Sequence, residues 1–315
     1  MPQFDKADHI SKCLQMAILF EVTSSKPGNV NLVTGFAGTR VEHFLASAVA
    51  ASTAFRAAAQ NGLDILKGNL CVEDAATGQL MKQCVADIGA WQKGGNTLLG
   101  TAMLFVPIAV AAGMTFANEN RDFDLKSLRR NLKSVVESTT AHDAVNTYEA
   151  IAIANPSGLN QAPDLDVNTK ESKERIIREN VSLFKVFQIA AEYDDICFEW
   201  VNNFPITFEI AYPFMVDQLK TKTLNTAIVH SFLKVLSERP DTFISRKAGK
   251  EKSVEISKEA KKVLVIGGLE TTEGKKKMEE LDNMLRGSGN NYNPGTTADI
   301  IAATLAVCIL GGYRP

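Results

Sequence analysis

The sequence predicts an all-α fold, a single large domain of about a dozen helices. Three observations predict it. Apolar residues recur with a helical period along most of the chain. Stretches of period-2 alternation are scarce. Residues that start and stop helices, namely Ser, Thr, Asp, Gly and Pro, punctuate the apolar stretches. With 315 residues, 45% of them hydrophobic, the chain can bury one sizeable core. A subdivision near 155–172 is the weaker alternative. No repeat recurs at fixed spacing.

The elements follow in order. Positions 9–22 carry apolar residues at 10, 14, 17, 18 and 22, which fit one helical face. Segment 44–59 is Ala-rich and apolar on most sides, so it reads as a buried helix. Segment 72–93 reads as another, weakened at Gly78. Segment 97–113 is apolar almost all round and ends at Gly113. Pro107 inside it predicts a kink or a break, because it lacks an N–H. Segments 125–138 and 141–154 predict a helix pair. Pro156, Gly158 and Pro163 make 155–170 a loop. Helical stretches then cover 173–204, 207–219, 224–236, 251–266, 275–286 and 297–311. Val263 to Ile266 has strand character but also continues the helix before it.

Charge and composition exclude several functions. A formal net charge of −2 gives no global field for nucleic acid. The basic clusters 258–262 and 275–277 also carry or adjoin Glu, and read as solvated helix faces. The five cysteines show no CxxC spacing, which argues against a disulfide framework or a zinc site. The longest apolar run, 102–112, falls short of the roughly 18 residues that cross a bilayer. Lys6, Asp8, His9 and Lys12 interrupt any secretory pattern. The expectation is a cytoplasmic protein. Its all-apolar helices leave room for a homodimer interface.

Five segments carry candidate chemistry. Asn293-Pro294-Gly295-Thr296-Thr297-Ala298-Asp299 is a turn opening an apolar helix, with Thr296 or Thr297 as its cap. The free N–H groups there can seat an anion. Asp299 alone would repel a phosphate, but with Mg²⁺ it suits a polyphosphate. Near the other end, Glu21 precedes the turn Lys26-Pro27-Gly28-Asn29, which offers a cation and backbone N–H groups. A plain helix-ending turn is the alternative. Gly94-Gly95-Asn96-Thr97-Leu98-Leu99-Gly100 is a second possible anion seat at a helix start. Within Glu192 to Glu199, Asp195 and Glu199 share a helical face, where like charges repel unless a cation or a basic side chain joins them. Asp241-Thr242 and Arg246-Lys247-Ala248-Gly249 form a plausible phosphate grip or else a polar linker. His142 and Asp143 read as first-turn or capping residues more than as a base. Neither a GxxxxGK[ST] nor a GxGxxG motif is present.

Taken together, these segments resemble the triphosphoribosyl-dephospho-CoA synthase family. The likeness rests on Glu21, Lys26-Pro27-Gly28 and Val30, on Asn96-Thr97-Leu98-Leu99-Gly100, on Asp241-Thr242 with Arg246-Lys247-Ala248-Gly249, and on Asn293 to Asp299. These motifs span nearly the whole chain in order. The resemblance implies an all-α pentosyltransferase. In that reaction a ribose hydroxyl of 3′-dephospho-CoA attacks C1′ of the ATP ribose, and adenine leaves. The product is the prosthetic-group precursor of citrate lyase and malonate decarboxylase. Glu21 and Asp299 become the candidate catalytic carboxylates and Mg²⁺ ligands, with Asp195 and Glu199 as further metal candidates. Lys26, Gly28, Asn29, Asn96, Thr97, Gly100, Arg246, Lys247, Asn293, Gly295 and Thr296 become candidates for phosphate or substrate. The citrate-lyase members carry an Asp after Lys-Pro-Gly-x-Val and then a Gly-Ala-His segment. Here those places hold Asn31 and Thr34-Gly35-Phe36-Ala37-Gly38, which is closer to a divergent branch found in archaea and some bacteria. The resemblance therefore implies ATP as donor and a dephospho-CoA-like acceptor, and leaves another coenzyme precursor open. The competing readings are a non-catalytic nucleotide-binding regulator and a structural helical oligomer. Convergence of the turns in one pocket separates the enzyme from the oligomer.

Overall fold

The computed structural model describes residues 5–116, 123–159 and 161–315, and among these there are helices and no strands. The first half holds α1 (Lys6–Thr23), α2 (Val41–Ala50), α3 (Ser52–Leu66), α4 (Thr77–Trp91), α5 (Leu99–Thr115), α6 (Leu125–Glu137) and α7 (Ala141–Ala154). The second holds α8 (Lys170–Arg178), α9 (Leu183–Ala190), α10 (Asp195–Val201), α11 (Tyr212–Leu219), α12 (Leu224–Glu238), α13 (Thr242–Ala248), α14 (Lys250–Val265), α15 (Thr272–Arg286) and α16 (Gly295–Leu310). The element count exceeds the dozen expected because two predicted helices are subdivided and α13 forms in a segment not predicted to be helical. Position 160, inside the predicted loop 155–170, lies outside the described residues.

Helices α5 and α16 pack against each other at the centre, with α1 and α3 alongside. Nearly every side chain of α5 and α16 is buried. Much of α16 is β-branched: Thr296, Thr297, Ile300, Ile301, Thr304, Val307 and Ile309. Such residues cost up to roughly 0.7 kcal/mol each in helix propensity. Burying an Ile, Leu or Val side chain returns roughly 1.5–3 kcal/mol, so tertiary burial wins over local preference. Where α3 crosses α5, a Cβ on Gly62 would lie 2.0 Å from the Val110 carbonyl, and one on Gly113 would lie 2.2 Å from that of Ala59. Only glycine allows this backbone approach. The two helices that are apolar all round, α5 and α16, thus form part of the protein's own core.

Several expectations change. Segment 44–59 is two helices meeting at Ala51, where the Ser11 hydroxyl of α1 donates to the Ser52 carbonyl at 2.9 Å. Segment 72–93 begins as a short 3₁₀ turn (Val72–Asp74), and α4 starts after Ala76, at φ +56°. Segment 173–204 contains three helices, restarted by the Ser182 and Asp194 side-chain caps. The expected pair 125–138 and 141–154 separates, with α6 packing mainly on α5 and α7 on α4. Segment 240–249 is helical, capped by Asp241, and Val263 to Val265 completes α14.

Pro107 does not break α5. Its missing N–H would leave the Met103 carbonyl without its helical partner. The Trp200 indole N–H donates to that carbonyl at 3.0 Å, and Trp200 is fully buried. Trp200→Phe is therefore expected to destabilise the fold by about 1–3 kcal/mol, since it orphans a buried acceptor. Urea denaturation measures this; an unchanged midpoint would show that the carbonyl finds another donor.

Candidate active site

A cleft of about 1120 Å³ opens where the start of α5, α10, α13 and α16 meet the turn after α1. Among the sequence candidates, Glu21, Asn29, Asn96, Thr97, Gly100, Asp195, Arg246, Asn293, Gly295, Thr296 and Asp299 all line it. Turns up to 278 residues apart in sequence, as Glu21 and Asp299 are, converge on one space. A dispersed set of helix caps, the structural-oligomer reading, does not describe this arrangement.

Asp299 lines the cleft and is half-buried. The Thr101 hydroxyl donates to its Oδ1 at 2.5 Å. A Cβ on Gly100 would sit 2.1 Å from its Oδ2, so the glycine makes room for the carboxylate against the first turn of α5. Burial pushes the Asp299 pKa up to about 7, and the charges of Glu21 and Asp241 push the same way against the Thr101 bonds. Glu21 is close enough to act on Asp299 electrostatically. Its own carboxyl is raised by burial, with Lys26 opposing.

Lys26 does not reach the cleft, contrary to the expected phosphate contact. It is fully buried, with Nζ 3.1 Å from Glu21 Oε1. The ammonium also donates to the carbonyls of Glu21, Ser24 and Val30. Proline and glycine force the chain to double back, and that return brings the Lys26 ammonium under Glu21. Gly28 is also absent from the lining. At φ +66° it donates its N–H to Asp282 Oδ1 at 2.7 Å. Lys247 stacks over Phe243, its Nζ 4.5 Å from the ring centroid, and donates to the Asn290 carbonyl.

The expected anion seats receive the protein's own carboxylates. Neither Thr296 nor Thr297 caps α16. Instead Asp241 Oδ2 accepts from the Thr297 N–H at 2.7 Å and from its hydroxyl at 2.8 Å. Asp299 similarly accepts at the start of α5, where Asn96 Oδ1 also takes the Leu99 N–H at 3.1 Å. Helix N-termini favour negative charge, and here aspartates supply it.

Asp195 and Glu199 are not joined on one cation. Asp195 pairs with Arg239, while Glu199 accepts the N–H groups of Ile206 (2.7 Å) and Thr207 (3.1 Å) at the head of a π-helical turn (Ile206–Ala211). Separate partners offset the repulsion that their spacing suggested, although the Asp195 charge still pushes the Glu199 carboxyl up. Burial nevertheless holds Glu199 up to about 7, against those N–H bonds. Next to Asp195, Arg246 pairs with Asp194. Sequence reasoning missed Arg239 and Thr101. Thr101 directly follows the Asn-Thr-x-x-Gly segment and was legible there; Arg239 precedes Pro240 and carries no local signal. His142 is exposed, and Asp143 forms a capping box with Thr140.

Fold and site together define an all-helical protein with paired carboxylates at one end of a cleft and arginines on its wall. A family model described as ATP:dephospho-CoA triphosphoribosyl transferase matches residues 7–315. The chain belongs to this family and is a transferase of its kind. A crystal structure from Archaeoglobus fulgidus, of a protein provisionally assigned as triphosphoribosyl-dephospho-CoA synthase, superposes with a TM-score of 0.63 at 23% identity. That match covers 87% of this chain and 100% of the other, and it bears on the fold. No curated protein sequence matches significantly. No helix among the described residues is long and apolar enough to cross a membrane.

Proposed function

We propose that this cleft transfers the triphosphoribosyl group of ATP to a ribose hydroxyl of dephospho-CoA, with Glu21 and Asp299 as its working carboxylates. The observation that carries the assignment is that these two acids, Glu21 buried and Asp299 half-buried, line one cleft and act on each other electrostatically. Each has its charge disfavoured by burial, and neither is neutralised by a bidentate arginine. Breaking the C1′–N bond builds positive charge on the sugar, which carboxylates held in a dry site stabilise. A carboxylate whose pKa lies near 7 is also suited to accept the proton of the attacking hydroxyl.

The residues fit Mg²⁺. Glu21 Oε1 is buried and has no hydrogen-bond donor in proper alignment. Among the described residues no group of three or more metal-ligating side chains exists. Two carboxylates suffice for Mg²⁺, which usually completes its shell with water and phosphate oxygens. Glu21 and Asp299 would hold it, and when bound it neutralises the charge of the triphosphate. Arg246 and Arg239 present guanidinium groups on the wall, where they can exchange Asp194 and Asp195 for phosphate oxygens. The amides of Asn29, Asn96 and Asn293 can orient ribose or base.

Adenine release from ATP and Mg²⁺, followed by liquid chromatography with and without 3′-dephospho-CoA, tests the reading. Release that depends on dephospho-CoA is expected. Release without it would assign the donor chemistry to a different acceptor. ATP binding with no release would favour the regulator.

A further inference from the structure

Far along the chain, α15 reaches back to the turn after α1. Arg286 Nε bonds both oxygens of Asp282, at 2.9 and 2.8 Å, one helical turn away. Both side chains then hold the turn. Asp282 Oδ1 accepts the Gly28 N–H at 2.7 Å, and Arg286 Nη2 donates to the Asn29 carbonyl at 2.7 Å. Leu285 fills the space over Gly28, where an added Cβ would come within 2.5 Å of the Leu285 Cβ. The Asn29 side chain, thus fixed, donates to Asn293 Oδ1 at 2.8 Å, and both residues line the cleft. Neither Asp282 nor Arg286 lines it.

We propose that Asp282 and Arg286 are positioning residues of the active site, setting the turn that presents Asn29 and locks Glu21 onto Lys26. The geometry decides this over a plain surface ion pair. An exposed i,i+4 pair contributes little, but this pair spends two further hydrogen bonds on successive residues of a distant turn. The turn is thereby held at two points, the Gly28 N–H and the Asn29 carbonyl. The same turn delivers the Val30 carbonyl to the Lys26 ammonium. Loss of the brace would loosen Lys26 and Asn29 together and shift Glu21 in the cleft.

The inference rests on the proposed role of the cleft, and two readouts separate the two. The first is hydrogen exchange of the full-length protein across residues 26–31. Asp282→Ala is expected to speed exchange there at least about 10-fold, and Arg286→Met to do likewise, with α5 and α16 unchanged. Asp282→Asn keeps an acceptor for Gly28 and is expected to restore most of the protection. The second readout is steady-state adenine release. Misplacement of about 1 Å can cost on the order of 100-fold in kcat/KM. Asp282→Ala and Arg286→Met are expected to lose that much, and Arg286→Met is expected to cost little more once Asn29→Ala is present. Unchanged exchange at 26–31 would overturn the brace. Faster exchange with unchanged kcat/KM, or effects of Arg286→Met and Asn29→Ala that simply add, would overturn its link to the site. A wild-type protein without adenine release would sink the functional reading, while the exchange arm would still judge the brace.

Discussion

Asp299→Asn is expected to remove transfer activity and, in the absence of Mg²⁺, to stabilise the protein above neutral pH. Loss of one charge-stabilising group costs on the order of 100-fold or more in rate. The stability effect has the opposite sign. The folded carboxyl titrates near 7, against an ordinary value of 3.8, because burial disfavours its charge. A carboxyl with a raised folded pKa favours the folded state while protonated. Its contribution is full below about pH 4 and is lost as pH rises through about 7. The shift of about three pKa units corresponds to on the order of 4 kcal/mol. Glu199, also held near 7, adds a slope of its own. Urea denaturation between pH 4 and 8 should therefore show a shallower decline in the variant than in the wild type, and never a steeper one. Millimolar Mg²⁺ should flatten the wild-type decline and leave the variant alone, because the cation favours the ionised pair. Equal slopes in both proteins would refute the buried-acid account, and insensitivity to Mg²⁺ would refute the cation site. An active site that costs stability in this way is the usual trade between function and fold.

The second large effect concerns Lys26. Lys26→Met should destabilise the protein by about 3–5 kcal/mol, the cost of leaving one member of a buried ion pair alone. Glu21 then sits buried without its cation, its pKa already raised by burial. A raised carboxyl pKa favours folding in acid, so this variant should recover stability as pH falls through the Glu21 pKa. Three carbonyls of the turn, those of Glu21, Ser24 and Val30, also lose the ammonium as a donor, though those of Glu21 and Ser24 keep a backbone N–H. Glu21→Gln alone leaves the ammonium unpaired and should also destabilise. Combined, the two substitutions should cost less than the sum of the singles, because no uncompensated charge remains. A double-mutant cycle in urea measures the coupling. Strict additivity would mean that the 3.1 Å contact carries no interaction worth the name.

The same residue shows how far local sequence reaches. Lys26-Pro27-Gly28 is legible as a tight turn bearing a cation, and the structure keeps the turn. It reverses the direction of the cation, which points inward to Glu21 instead of outward to a phosphate. Turn chemistry depends on neighbours in sequence. The direction of a long side chain depends on which other helices close around it. Asp241 and Asp299 teach the same lesson, since each occupies the N-terminus of a helix distant in sequence. Both termini take negative charge, but it is the protein's own, which no spacing rule reveals. Asp195 and Glu199 were rightly seen to need partners, and those came from Arg239 and the N–H groups at the head of the π-helical turn.

By itself the sequence determined the helical class, the turns at 26–29, 94–97 and 293–295, and several of the polar residues that line the cleft, because periodicity, capping and turn preference are short-range. Helices apolar all round have no stable face to show water, and the fold buries both α5 and α16. Only the tertiary structure decided the partners. It supplied the Trp200 donor that lets Pro107 stay within α5, the burial that raises Asp299, the Lys26 contact with Glu21, and the brace from α15. Each of these joins an acceptor or a charge to a group beyond the reach of local pattern. Removal of water from both makes such contacts strong, and this happens only once the helices have packed.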